Sequence, residues 1–398
     1  MNILFVSTWF PYPPNNGSKL RVFNLLRGLA ASHDVTLLSF YRQDVSEADR
    51  QCLQEICRDV LMVPWNEYRP QSWRARAGLL SMKPRAIVDR FSRQMVETLE
   101  QVQSREQFDV IIASQIATAS YSPYFSSAPT IFEEVELATL FEQYHQASSP
   151  AHRLRYGLTW LKHRRYLADL LSHFHACTVV SDDECQILSQ AINGQVRSVE
   201  VVPNCVELSD YDLAPRPRRN DSLIFTGSFT YNPNYEAMRW FLAQAYPRVL
   251  EVFPDASLTI TGHHADLPLP SLPGVTRTGF VDDIRPLVAS SMVSVAPIWT
   301  GGGTRLKILE AMALGAAVIS TTKGAEGLAV KHNEHLLIAD TPPAFADAVI
   351  AVLQDAHLRR RLAANAYKLV AQRYNWSAVL PDFVRFVEDV AHNSRREC

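Results

Sequence analysis

Residues 2–40, NILFVSTWFPYPPNNGSKLRVFNLLRGLAASHDVTLLSF, decide the fold class. Ile3-Leu4-Phe5-Val6 is a short, unbroken apolar run, the pattern of a strand buried on both faces. Pro11 to Gly17 follows with three prolines, two asparagines and a glycine, which is turn chemistry. From Ser18 onward, Leu20, Phe23, Leu26 and Leu29 recur at helical spacing, and Val35–Phe40 is a second strand-like run. Strand, loop, helix and strand in this order predict parallel strands joined by crossover helices. The stretch also reads as a first strand and not as a signal peptide, because it lacks a basic leader and a small-residue cleavage site.

The same alternation continues outward. Strands are expected at Val60–Val63, Val110–Ala113, Thr130–Phe132, Cys177–Val180 and Val199–Val202, with helical patterns between them. A polar stretch, ELSDYDLAPRPRRND (207–221), has no apolar period and reads as a linker. A second series begins at Leu223-Ile224-Phe225-Thr226-Gly227. It runs through a helix over Asn234–Val252, strands at Ser257–Thr261, near Val275 and at Val293–Pro297, a helix from Thr304, and strands at Ala317–Ser320 and Leu336–Ile338. The expected architecture is α/β: two Rossmann-like doubly wound domains facing each other across a cleft. Their limits are 1–206 and 222–375, and an amphipathic helix over 376–398 packs back toward the first domain. A chain of 398 residues suits two domains of about 100–200 residues.

Composition removes several classes. With 39 Lys+Arg against 41 Asp+Glu, the formal charge of −2 argues against a protein that coats nucleic acid. No run approaches the about 20 apolar residues of a spanning helix. The six cysteines are irregularly spaced without a CxxC pair, so neither a zinc site nor a disulfide scaffold is indicated. Reduced thiols in a cytoplasmic protein are the expectation.

Chemistry concentrates in Ile298–Glu310, IWTGGGTRLKILE. Gly301, Gly302 and Gly303 follow a strand and precede a helix that Thr304 can cap. Glycines let backbone N–H groups close on a ligand, and a helix start suits a phosphate. Arg305 and Lys307 add positive charge there. Glu310, three residues beyond Lys307, shares its helix face and can accept hydrogen bonds from a sugar diol. The alternative is a glycine-rich turn with an ordinary ion pair. Neither GxxxxGK[ST] nor GxGxxG is present.

Residues 301–327, GGGTRLKILEAMALGAAVISTTKGAEG, closely resemble the donor signature of glycosyltransferase family 4, retaining enzymes of the GT-B fold. FTGSFTYNPNYEA (225–237), TGFVDDI (278–284), VPNCVE (202–207) and YNWS (374–377) resemble further family segments in family order. The resemblance implies transfer of a hexosyl unit from a UDP- or GDP-linked sugar to a hydroxyl, with no metal and no other cofactor. It places Glu310 on the donor ribose. Gly227, Ser228, Asn232, Gly262, His263, Gly301, Gly302, Gly303 and Thr304 fall around the donor, and Gly17 against the reacting phosphate. The sequence departs from the family at Gly302, where the first glutamate of E-x7-E is usual, and at Ser228, where arginine is usual. Ser114-Gln115 stands where the acceptor half often has a histidine. Arg305 and Lys307 are left to supply the cations, and Glu326 a sugar contact.

On the acceptor side, Asn16, Gly17, Arg21 and Glu134 are the candidates. The acceptor is expected to be a glycan or lipid-linked glycan of a bacterial surface polysaccharide. Residues 67–93 carry seven Lys/Arg with interleaved aromatics, and residues 151–175 carry five. Such segments can touch the inner face of a membrane, although a solvated helix face has the same composition. Two other readings stand beside transfer. One is an epimerase or phosphorylase on the same plan; the other is a catalytically degenerate GT-B protein that binds nucleotide sugar or glycan as a complex subunit.

Overall fold

The computed structural model describes residues 1–42, 45–145, 149–192, 198–213, 217–264, 266–301 and 305–394. The chain forms two compact units, Met1–Pro203 with Leu380–Cys398, and Asn204–Val379.

In the first unit the strands are β1 (Asn2–Ser7), β2 (Asp34–Tyr41), β3 (Asp59–Pro64), β4 (Val110–Ser114), β5 (Thr130–Glu133), β6 (Ala176–Val179) and β7 (Val199–Val201). Among the described residues they make one parallel sheet in the order β3-β2-β1-β4-β5-β6-β7. Ile3 is in register with Val35 on one side and Val110 on the other, so β1 is central. That position explains its unbroken apolar run, since both of its faces are covered. The helix Gly17–Ala30 is capped by Asn16, whose side chain accepts from Lys19 N at 3.0 Å. Late in the chain, Phe383, Phe386, Val387 and Val390 are also buried. Leu380 lies against the helix Gly17–Ala30, where a Cβ on Gly28 would come within 2.7 Å of its Cδ2.

The second unit holds β8 (Ser222–Thr226), β9 (Ser257–Thr261), β10 (Val275–Gly279), β11 (Val293–Ala296), β12 (Ala317–Ser320) and β13 (Leu337–Ile338). Their order is β10-β9-β8-β11-β12-β13, again parallel. Successive residues point to opposite faces. Leu223 and Phe225 enter one core while Ile224 enters the other. Likewise Ala317 and Ile319 oppose Val318.

Two expectations change in detail. The helix expected as one piece over 234–252 is Asn232–Trp240, a wider π-type turn over Phe241–Ala245, and Tyr246–Val252. Pro247 has no N–H and its ring would crowd the carbonyl one turn back, and the wide turn relieves both conflicts. The helix expected from Thr304 runs over Leu306–Ala313. The polar stretch after Glu207 contributes a short turn, Leu208–Tyr211, and Leu208, Tyr211 and Leu213 pack against a core of the second unit. Among the described residues no helix is long and apolar enough to cross a membrane.

Candidate active site

In an open parallel sheet, ligands bind beyond the carboxyl ends of the strands where the winding direction reverses. In the second sheet that point lies between β8 and β11. The residues leaving these two strands are Gly227-Ser228 and Ile298–Gly301.

The two loops after β8 and β9 are pressed together. Gly227 has φ +151° and Gly262 φ +110°, a region L side chains rarely adopt. A Cβ on Gly262 would lie 2.6 Å from the carbonyl carbon and oxygen of Gly227. A Cβ on Gly227 would lie 2.7 Å from both Asn234 Nδ2 and Lys307 Nζ. Glycine at both positions therefore lets Lys307 reach the switch point. There its Nζ donates to Asn234 Oδ1 at 2.7 Å and sits 4.2 Å from the centroid of the Phe225 ring. Asn234 Nδ2 in turn donates to Ser228 O at 2.8 Å.

Burial, and next the neighbouring Arg305 charge, push the Lys307 ammonium down to about 7, with Glu310 opposing. Arg305 is buried and donates to Gly301 O. Glu310, one turn beyond Lys307 on the same helix, accepts from Tyr211 Oη at 3.2 Å. Burial raises its carboxyl, while Tyr211 and Lys307 pull it down. The arrangement is a desolvated cation beside an arginine, with a carboxylate next along the helix. It suits a diphosphate followed by a diol.

The other donor candidates divide. Gly301, φ +88°, lies so close to Tyr231 that a Cβ would fall 2.1 Å from the phenol oxygen. Ser228 Oγ bonds Thr230 Oγ1 at 2.8 Å and His263 O at 3.2 Å, so Ser228 and His263 join the loops after β8 and β9. Asn232 turns along its own helix to Glu236 Oε1 at 2.7 Å, and it is Asn234 that holds Lys307. Glu326 pairs with Lys323 just past β12. Gly302, Gly303 and Thr304 lie outside the described residues. Reading the sequence offered Asn234 only beside Asn232, near the position where the family carries a lysine; Tyr211 was missed, in a stretch without periodicity.

In the first unit, Arg21 points inward. Its Nε meets Glu133 Oε1 at 2.6 Å with both side chains inaccessible, and its Nη1 donates to Val202 O at 2.8 Å. Ser114 Oγ donates to Glu133 Oε2 at 2.6 Å. This brace ties the first helix to the ends of β4, β5 and β7.

The next residue, Glu134, has φ +60°, and Gln115 past β4 has φ +70°. Non-glycine residues seldom adopt this conformation, and here it aims two polar side chains at each other. Gln115 Nε2 donates to Glu134 Oε2 at 2.8 Å, and Trp9 Nε1 donates to Gln115 Oε1 at 3.0 Å. Glu134, Gln115, Glu136, His163 and Phe132 line a cavity of about 330 Å³. Desolvation, then the Glu133 charge, raise the Glu134 carboxyl to about 7; burial lowers His163 to about 4. Among the described residues no cluster of His, Cys, Asp and Glu could hold a metal ion.

Residues 220–355 match the family described as glycosyl transferases group 1. Over 396 residues the chain is 24% identical to a 44.6 kDa protein of the cps region of Klebsiella pneumoniae, covering 94% of this chain and 96% of that one. Over 207 residues it is 32% identical to phosphatidyl-myo-inositol mannosyltransferase of Mycobacterium tuberculosis, covering 48% of this chain and 54% of the relative. Among solved structures, Anabaena HepE in complex with UDP and glucose superposes with a TM-score of 0.68 at 16% identity, covering 98% of this chain and 100% of that one. The family match lies over the sheet that carries Lys307 and Glu310, and the likeness of fold extends over nearly the whole length. Residues 220–355 thus carry the likeness to the group 1 glycosyltransferases, and the chain over nearly its whole length has the GT-B fold.

Proposed function

We propose that the protein transfers a sugar, with retained anomeric configuration, from a nucleoside diphosphate sugar to a hydroxyl of a glycan or lipid-linked glycan. The pathway is synthesis of a bacterial surface polysaccharide at the inner face of the membrane. The observation that carries this reading is Lys307, desolvated at the switch point and held by Asn234. The bond from the anomeric carbon to the phosphate oxygen breaks, the acceptor oxygen takes its place, and the acceptor proton leaves with the diphosphate. Charge grows on that diphosphate, and Lys307 with Arg305 is placed to stabilise it without a metal ion. Glu310, oriented by Tyr211, accepts from the ribose hydroxyls.

The cps-region relative supports the pathway, and the UDP and glucose bound by HepE make UDP-sugars the first donors to test. On the acceptor side, Glu134 with Gln115 is the group proposed to bind a hydroxyl, and the basic segments 67–93 and 151–175 are proposed to meet the membrane. Thermal unfolding with a panel of nucleoside diphosphates and their sugars, in chelator, tests the donor reading. A ligand at 100 times its dissociation constant adds about 2.7 kcal/mol. A shift with one base, lost in Lys307→Ala, is the expected result. No shift with any member at millimolar concentration overturns it in favour of a degenerate subunit.

A further inference from the structure

The segment Trp73–Arg90 folds back on itself as two short helices, Trp73–Ala77 and Arg85–Arg90. Arg85 fixes the pair, donating from Nε to Ala75 O at 2.8 Å and from Nη2 to Pro70 O at 2.7 Å. Between the helices the backbone is also tied down, with Leu79 N bonded to Arg76 O and Leu80 N to Ala77 O, each at 3.0 Å. A framework held this firmly nevertheless presents apolar side chains to solvent: Leu80 is 96% exposed, Trp73 75%, Leu79 64% and Met82 57%.

A second exposed apolar pair joins the same surface. Lys162, on the helix Pro150–Leu171, donates from Nζ to Gly78 O at 2.6 Å, beside Leu79. One and two turns earlier on that helix face stand Leu158 and Leu154, 61% and 67% exposed. Helical spacing thus leads from the Gly78 contact to a stripe of leucines.

Within the two stretches that carry these residues the charge has one sign. Residues 68–88 and 150–168 each contain five Lys/Arg and no acid. Of the carboxylates that border these stretches, Asp89 is buried and turned inward to Arg69 N and Ser72 Oγ, while Glu67 and Asp169 are exposed at their ends. Arg74, Arg76, Lys83, Arg153 and Arg155 are exposed.

We propose that this surface of the first unit docks on an anionic bilayer, with Leu79, Leu80, Met82 and Trp73 entering the headgroup–acyl boundary and the flanking cations on the lipid phosphates. Apolar side chains ringed by cations match hydrocarbon beneath a layer of phosphate. A second copy of the same surface would set cations against cations, which disfavours self-association here. The proposal deepens the reading of a lipid-linked acceptor by naming the surface that would meet the lipid.

Flotation of the purified full chain with vesicles tests it without any sugar transfer. With vesicles containing phosphatidylglycerol the protein is expected to float, and about tenfold less of it with phosphatidylcholine alone. Leu79→Asp/Leu80→Asp is expected to cut the floated fraction by about tenfold. Because both leucines are exposed, its melting temperature and nucleotide affinity are expected to stay those of the parent. Arg76→Glu/Lys83→Glu is expected to weaken flotation in the same direction. Failure to float with anionic vesicles, equal flotation with neutral ones, or parental flotation of the leucine variant overturns the proposal. So does a concentration-dependent doubling of mass that the leucine variant abolishes, which assigns the surface to a protein contact. Nucleotide binding measured on the same samples separates these outcomes from failure of the donor reading.

Discussion

The phenol of Tyr211 donates to Glu310 Oε1 across 3.2 Å, joining two residues 99 positions apart. A carboxylate inside the protein keeps its charge only with such help, since burial raises Glu310 and the Tyr211 bond lowers it. Tyr211→Phe removes the bond and moves the Glu310 carboxyl further up. A protonated carboxyl accepts less well from a ribose diol, so nucleotide affinity in the variant is lost at a higher pH on acidification than in the parent. A loss of about three- to tenfold that grows on acidification is expected by isothermal calorimetry.

Lys307 gives a second pH dependence of opposite sense. Its ammonium, at about 7 in the free protein, is driven upward by a bound diphosphate, so binding takes up a proton. Affinity for the nucleoside diphosphate is then expected to fall as pH rises above 7, by up to about tenfold per unit. Calorimetry in two buffers of different ionisation enthalpy measures that proton. For the free protein the sign reverses. The unfolded chain holds the Lys307 proton up to its ordinary range, so stability rises with pH from about 7 upward. Lys307→Met is expected to abolish the uptake, weaken nucleotide binding at least about tenfold and raise the melting temperature at neutral pH.

Gly262→Ala is expected to cost about 2–4 kcal/mol, read from urea unfolding. The obstruction is backbone, since the new Cβ would meet Gly227 C and O at 2.6 Å, and φ is +110°. Because Gly227 borders Asn234 and Lys307, nucleotide binding is expected to weaken as well.

Arg21→Met leaves the Glu133 carboxylate inside the sheet without its cation. Breaking a buried pair in this way costs about 3–5 kcal/mol, and Arg21→Met/Glu133→Leu is expected to recover part of the loss. Urea unfolding of the two variants measures the difference.

The α/β class was legible because Ile3–Val6 and Leu223–Phe225 are buried on both faces and so read as unbroken apolar runs. The break at Phe241–Ala245 was hidden, since a π-type turn preserves apolar burial on both sides of it. Lys307 and Glu310 were legible from spacing, because both stand on one helix. The choice of Asn234 over Asn232 was not, since both lie in the same first turn and only the folded loop chooses between them. Arg21 did carry a usable signal: it stands one turn before Leu25 and two before Leu29, both buried. Gln115 and Glu134 depend on left-handed backbone, which neither residue type announces.

The helix Trp376–Ser394 is where the chain passes from the second unit back into the first. The first unit is therefore completed only after the second has been synthesised. After Gly28 has emerged, Leu380 follows on the order of 20–70 s later at about 5–20 residues per second. Throughout that interval the face of the helix Gly17–Ala30 that later receives Leu380 stands uncovered.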